Sequence, residues 1–214
     1  GNDAKKIKKI CENLNIEEIE LRSRESPDVK QYLQELNFKK IDVDFPSELF
    51  ELKKVIETLQ GIYIRELEKR KVLFGNKNKI ELIKLQQKLS QMIYRATGEG
   101  KFNYMRAASV CAQALKLHHA IELLETQTLE SLNLYLKGLF EQAANNKSKG
   151  VKQLVSKTEF NYIYSRVQEL LNKGFEHPKL EKLKNIVQEE TLNNKKKKKT
   201  SRIMIFTQFR STAS

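Results

Sequence analysis

The chain has 214 residues, 39% of them hydrophobic and 31% charged, with Gly 8, Pro 3 and no Trp. So few chain-breaking residues argue against a many-stranded β protein and for long helices, in one domain and part of another. Lys+Arg 40 against Asp+Glu 27 gives a net charge of +13, a field that attracts polyanions and makes nucleic acid the leading partner class.

Cys11 and Cys111 lie far apart without a CxxC partner, so neither a zinc site nor a disulfide framework is expected, and a reducing interior fits. The opening GNDAKKIKKI lacks an apolar signal core, and no run approaches the roughly 18 apolar residues of a membrane span. The expectation is a soluble intracellular protein, cytoplasmic in an archaeal source and nuclear in a eukaryotic one, with no membrane partner.

In chain order, Asp3 to Leu14 reads as a short amphipathic helix on Ile7 and Ile10. Ile16, Ile19 and Leu21 alternate with charges, which predicts a strand, and Ser26-Pro27-Asp28 breaks it into a loop. Phe38 to Phe45 alternates through Ile41 and Val43 as a half-buried strand should. From Ser47, Leu49, Leu52, Ile56, Leu59, Tyr63 and Leu67 recur at spacings of three and four, predicting one helix to about Phe74, with Gly61 a candidate bend.

Gly75 to Asn78 is a turn, and Ile80, Ile83, Leu85, Leu89 and Ile93 mark a second helix ending near Thr97 to Gly100. The central helix is expected from Phe102 to Glu125. Its broad apolar stripe and Ala107, Ala108, Ala112 and Ala114 suit burial against several close neighbours. A helix from Leu129 to Ala144, a flexible basic loop at Asn145 to Gly150, and a helix from Val151 to Leu171 follow. Gly174 and Pro178 bracket a junction before a short helix through Leu180, Leu183, Ile186 and Val187. Asn193 to Lys199 reads as a solvated lysine loop, and Arg202 to Phe206 as a buried strand. This order, α, β, β, a run of helices, then α and β, predicts a helical unit inserted between fragments of a larger sheet domain.

ALKLHHAIELLETQ at Ala114 to Gln127 resembles the central insertion helix of the archaeal Hef and eukaryotic FANCM family of helicases. CENLNIEEIELRSRESPDV at Cys11 to Val29 is similar to the stretch after the first motor domain's last motif. HPKLEKL at His177 to Leu183 resembles the entry to the second motor domain, and IMIFTQFRSTA at Ile203 to Ala213 resembles helicase motif IV. The resemblance covers nearly the whole chain. It implies a mainly α fold: a thumb-like helical bundle at 46–173, flanked by the end of a first RecA-like domain at 1–45 and the start of a second at 174–214.

It also implies a superfamily 2 motor acting on forked or branched DNA in replication-fork repair, with ATP and Mg as cofactors of the parent protein. The partners so implied are duplex, fork or junction DNA, the parent motor domains, and replication or repair proteins. The chain itself carries no GxxxxGK[ST] loop, no DEAH-like motif, no arginine-rich motif VI and no nuclease half, so neither ATP hydrolysis nor cleavage is expected of it, and no cofactor.

Charge is segregated along the insertion. Asn76 to Lys116 holds eight basic residues and two acids, a net of +6; Leu117 to Glu141 nets −3; Gln142 to Gly174 nets +4. Lys77, Lys84 and Lys88 are spaced for one helix face that Arg95 continues, and with Lys101, Arg106 and Lys116 they form the expected phosphate-binding set. Tyr94, Phe102 and Tyr104 either stack on exposed bases or, as the burial habit of aromatics favours, cap the core.

Adjacent His118 and His119 point about 100° apart on a helix, which suits structural roles better than a shared metal. Glu17, Glu18, Glu20, Glu122 and Glu125 read as solvated faces or lysine partners. The lysine run Lys195 to Lys199 offers only diffuse attraction, while Thr207, Gln208 and Arg210 resemble helicase residues near nucleic-acid backbone. The alternative reading is a structural bundle that spaces the motor halves and docks a protein partner.

Overall fold

The computed structural model describes residues 3–33, 37–146, 148–197 and 202–206. The chain divides into two compact units, Gly1–Asp42 and Val43–Ser214. Among the described residues every regular element is a helix. The expected mainly α fold is observed; the flanking strands are not.

In the first unit, α1 (Ala4–Asn13) starts because Asp3 Oδ1 accepts from the amides of Lys5 and Lys6 at 3.2 Å each, covering donors that the helix leaves unpaired. It ends where Asn15 takes a φ of +49°. α2 (Pro27–Lys30) is a single turn begun by its proline. Neither helix buries a residue. The predicted strands at Ile16 to Leu21 and Phe38 to Phe45 are irregular chain instead. Alternation specifies a face to bury, but a strand exists only when its amides and carbonyls find a ladder. The same correction applies to Arg202–Phe206, expected to be buried, where Phe206 is 87% exposed. Thr207, Gln208 and Arg210 lie outside the described residues.

The second unit is a helical bundle of α3 (Ser47–Lys69), α4 (Lys79–Arg95), α5 (Gly98–Thr126), α6 (Leu129–Ala144), α7 (Lys149–Val155) and α8 (Thr158–Asn172), with α9 (Pro178–Lys197) following. α3 runs unbroken through Gly61 and stops at Lys69, before the expected Phe74. There Lys71 adopts a φ of +56°, and the amides of Lys71 and Val72 bond back to Glu68 and Leu67, a Schellman closure built without glycine. The turn sends Leu73 back into the core.

α5 occupies the centre. Ala107, Val110, Cys111, Gln113, Ala114, Leu117, Ala120, Ile121, Leu123 and Leu124 are all buried, and no position between Ala107 and Glu125 is fully exposed. Its small residues admit neighbours closely, as predicted: the Gln60 side-chain amide of α3 donates to the Ala114 carbonyl at 3.2 Å, and the Cys111 thiol donates to the Leu82 carbonyl of α4 at 3.3 Å. α5 begins at Gly98, so the Gly98 to Gly100 turn expected before it is its first turn.

Two departures shape the far side. The predicted Val151 to Leu171 helix is two helices, parted at Ser156-Lys157, where the Asn161 side-chain amide donates to the carbonyls of Val155 and Lys157 at 2.9 Å each. The supposed loop at Asn145 to Gly150 already contains the start of α7, and Gly150 is buried against α5. A Cβ on Gly150 would stand 2.6 Å from Ser109 Oγ and 3.3 Å from Gln113 Nε2, so the close approach of α7 to α5 requires glycine. The lysine run is helical as far as Lys197.

His177 is buried beside the Phe45 ring. Its Nε2–H donates to the Leu124 carbonyl at 3.3 Å, and its Nδ1 accepts from the Lys179 amide at 3.2 Å, an arrangement that only the neutral imidazole satisfies. Desolvation lowers its pKa below the usual 6.5, opposed by the Leu124 bond and reinforced by the Lys179 charge.

Two outcomes follow from this packing. Gly150→Ala should lower stability by about 1–3 kcal/mol in denaturant melts, and Ser109→Ala in the same chain should recover part of the loss, since it removes the clashing oxygen. Because folded His177 binds its proton less readily than the unfolded chain does, its contribution to stability is full above pH 6.5 and is lost as pH falls below that value. Melting temperatures between pH 7.5 and 5 should therefore decline less steeply in His177→Gln than in the unsubstituted chain.

Candidate nucleic-acid interface

α4 carries the expected basic face. Lys84, Lys88 and Arg95 stand four and seven residues apart, within about 40° of one another around the helix at 100° per residue. Leu82, Leu85 and Leu89 anchor the helix on α5 and leave the cations exposed. Lys84 is engaged by Glu81 at 2.8 Å, one turn away on the surface, which holds it weakly. Lys88 and Arg95 have no ion-pair partner among the described residues.

Lys77 does not share that face. It precedes the Asn78 cap of α4, and its ammonium lies 2.6 Å from the Glu68 carboxylate of α3. Lys101 and Arg106 are both exposed on α5 but about 140° apart around it. Lys116 is half-buried, its carbonyl taken by the Tyr135 hydroxyl of α6 at 3.0 Å. The structure thus unites three of the seven predicted cations and scatters the rest.

Arg106 belongs to a second basic feature. Between α3, α5 and the α7 region lies an open groove of about 1050 Å³. Arg70, Arg106, Lys149 and Lys157 line it, with Phe102 and Met105 at its apolar side. Arg70 is neutralised by Glu66 at 2.8 Å and held by Asn103 at 2.8 Å. Arg106, Lys149 and Lys157 have no ion-pair partner among the described residues. Sequence reasoning counted Lys149 and Lys157 in a positive segment but missed the groove. The signal lay in Gly150 and in the Phe102, Arg106, Ser109, Gln113 spacing, which places four groove residues on one stripe of α5.

That stripe is about 180° around α5 from Cys111 and Glu122, which meet α4, so the groove and the α4 face lie on opposite sides of the central helix. The expected capping role of the aromatics holds only for Tyr104, which packs on the core; Tyr94 is 92% and Phe102 69% exposed.

Both histidines are structural, as expected. His118 Nδ1 lies 3.3 Å from the Gln60 side-chain amide, and the His119 ring meets Tyr135 edge-on at 4.8 Å. Glu122 binds the Lys79 ammonium at 2.7 and 2.5 Å. Burial pushes its carboxyl up, but the Lys79 bond and charge, with the two histidines, more than reverse this and hold it below the ordinary carboxylate range. Glu125 likewise pairs with Lys53 of α3 at 2.6 Å. These carboxylates pin helices together and do not converge as an acid and base pair. Among the described residues no three His, Cys, Asp or Glu side chains gather as a metal site, and no helix is long and apolar enough to cross a membrane.

Residues 48–171 match the family model described as "Putative ATP-dependent RNA helicase, helical bundle". The chain is 33% identical to "Putative ATP-dependent RNA helicase MJ1505" of Methanocaldococcus jannaschii over 99% of its own length and 25% of that protein's. It is 26% identical to the Fanconi anemia group M protein homolog of Mus musculus over 98% of its length and 12% of that protein's. Its fold superposes on the crystal structure of the Pyrococcus furiosus Hef helicase domain with a TM-score of 0.70 and 32% identity, covering 100% of this chain and 43% of the other. The chain therefore spans a quarter or less of the first two relatives. On the match to its bundle, it belongs to the helicase helical-bundle family, in the form found in Hef- and FANCM-like superfamily 2 helicases.

Proposed function

We propose that this bundle is the DNA-gripping insertion of an ATP-dependent helicase that works on forked or branched DNA. The observation that carries the reading is the α4 face, where Lys84, Lys88 and Arg95 project in line from a helix anchored on the central helix α5. Cations so placed engage phosphates and not base edges, which positions a duplex without reading its sequence and suits a motor that must act on any DNA. The resemblance to Hef and FANCM supports a branched DNA substrate in fork repair. In this reading, residues 1–45 close a first RecA-like domain and 174–214 open a second. The exposed apolar side chains Leu21 and Ile205 fit a chain whose sheet partners belong to those domains. ATP and Mg act in the motor halves, and the bundle contributes grip without chemistry of its own.

Fluorescence anisotropy with duplex DNA, forked DNA and an RNA hairpin across a salt series tests the reading. Lys84→Glu, Lys88→Glu and Arg95→Glu together should weaken duplex and fork binding at least about tenfold at low salt, and should shallow the salt slope by roughly 0.9 for each phosphate no longer neutralised. Lys77→Gln should change little, because that cation lies off the α4 face, before its Asn78 cap and beside the Glu68 carboxylate. Binding that is absent at low salt, or indifferent to the triple change, would replace this reading with a spacer that docks protein. A clear preference for the RNA hairpin would replace DNA with RNA as the substrate.

A further inference from the structure

We infer that the groove between α3, α5 and α7 is a second nucleic-acid site, and that it takes unpaired strand. The inference rests on the nucleic-acid reading above and adds a site on the opposite side of α5 from the α4 face. Two observations carry it: charge without partners, and an exposed aromatic on the same stripe of α5.

Arg106, Lys149 and Lys157 line the groove with no ion-pair partner among the described residues, and Arg70 with Glu66 beside it adds no net charge. Net positive charge inside a concavity is focused there and draws a polyanion. Phe102 lies on the same stripe of α5 as Arg106, one turn before it, and is 69% exposed, with Met105 beside it 49% exposed. Large apolar side chains at the rim of a basic cleft provide a surface for a base, whose flat face stacks on them whatever its identity. Duplex DNA has its base faces already stacked, so only an unpaired strand can use this surface. The volume of about 1050 Å³ is at the upper end of small-ligand clefts and admits more than one nucleotide.

The site so defined reads a backbone through Arg106, Lys149 and Lys157 and a base through Phe102.

The test compares fluorescein-labelled oligo-dT with a blunt duplex, using the whole chain at low salt. Arg106→Glu with Lys149→Glu should weaken oligo-dT binding at least about tenfold and duplex binding less than about threefold, the reverse of the α4 triple variant. Phe102→Ala should cost oligo-dT at least about fivefold without changing the salt slope. Oligo-dT binding unaffected by the groove variants, or abolished in step with duplex binding, overturns the second site. So does displacement of oligo-dT by polyglutamate as readily as by unlabelled oligo-dT. Failure of the duplex to bind the unsubstituted chain overturns the gripping role of α4 separately.

Discussion

The molecule depends on the burial of α5. A helix of 29 residues, about 43 Å long, with buried side chains distributed around its middle is stable only if neighbours pack on several of its sides. Those neighbours in turn owe their placement to α5: α3 through Gln60, α4 through the Leu82 carbonyl, α6 through Tyr135, and α7 through the absence of a side chain at Gly150. The polar links are few and the buried leucines many, so hydrophobic burial supplies the drive while the hydrogen bonds fix register. Ion pairs at Glu122 and Glu125 then tie the C-terminal half of α5 to α4 and α3.

This arrangement explains how a strongly basic chain exposes its charge in defined places. Acids on α5 are used internally against Lys79 and Lys53, which removes those lysines from the outer surface field. Cations on the outer face of α4 and around the groove are left with few or no partners among the described residues. In the proposed reading, basic features on opposite sides of one well-packed central helix hold nucleic acid in a fixed relation to the motor halves.

Helical periodicity made most of the bundle legible from sequence. The bounds read for α6, Leu129 to Ala144, are those observed, because Thr128 caps its start and the apolar spacing is regular up to its end. The end of α3 was not legible: its Schellman closure uses Lys71 where a glycine would have announced it. Nor was the break between α7 and α8, which contains neither proline nor glycine and is held by the Asn161 side chain. The expected strands show a different limit, since alternation records a face to be buried and a ladder requires other chain segments. At the site, Lys84, Lys88 and Arg95 could be aligned from spacing alone, whereas the groove joins residues from α3, α5 and α7 and depends on tertiary packing that no single helix encodes.

Hydrogen exchange of backbone amides, measured with and without duplex DNA at low salt, reads the support and the grip together. α5 should be the slowest-exchanging helix in the free chain, and duplex should add protection along Lys84 to Arg95 while leaving α6 and α8 unchanged. Fast exchange in α5 would contradict its role as the support, and protection that appears on α6 and α8 and spares α4 would contradict the grip.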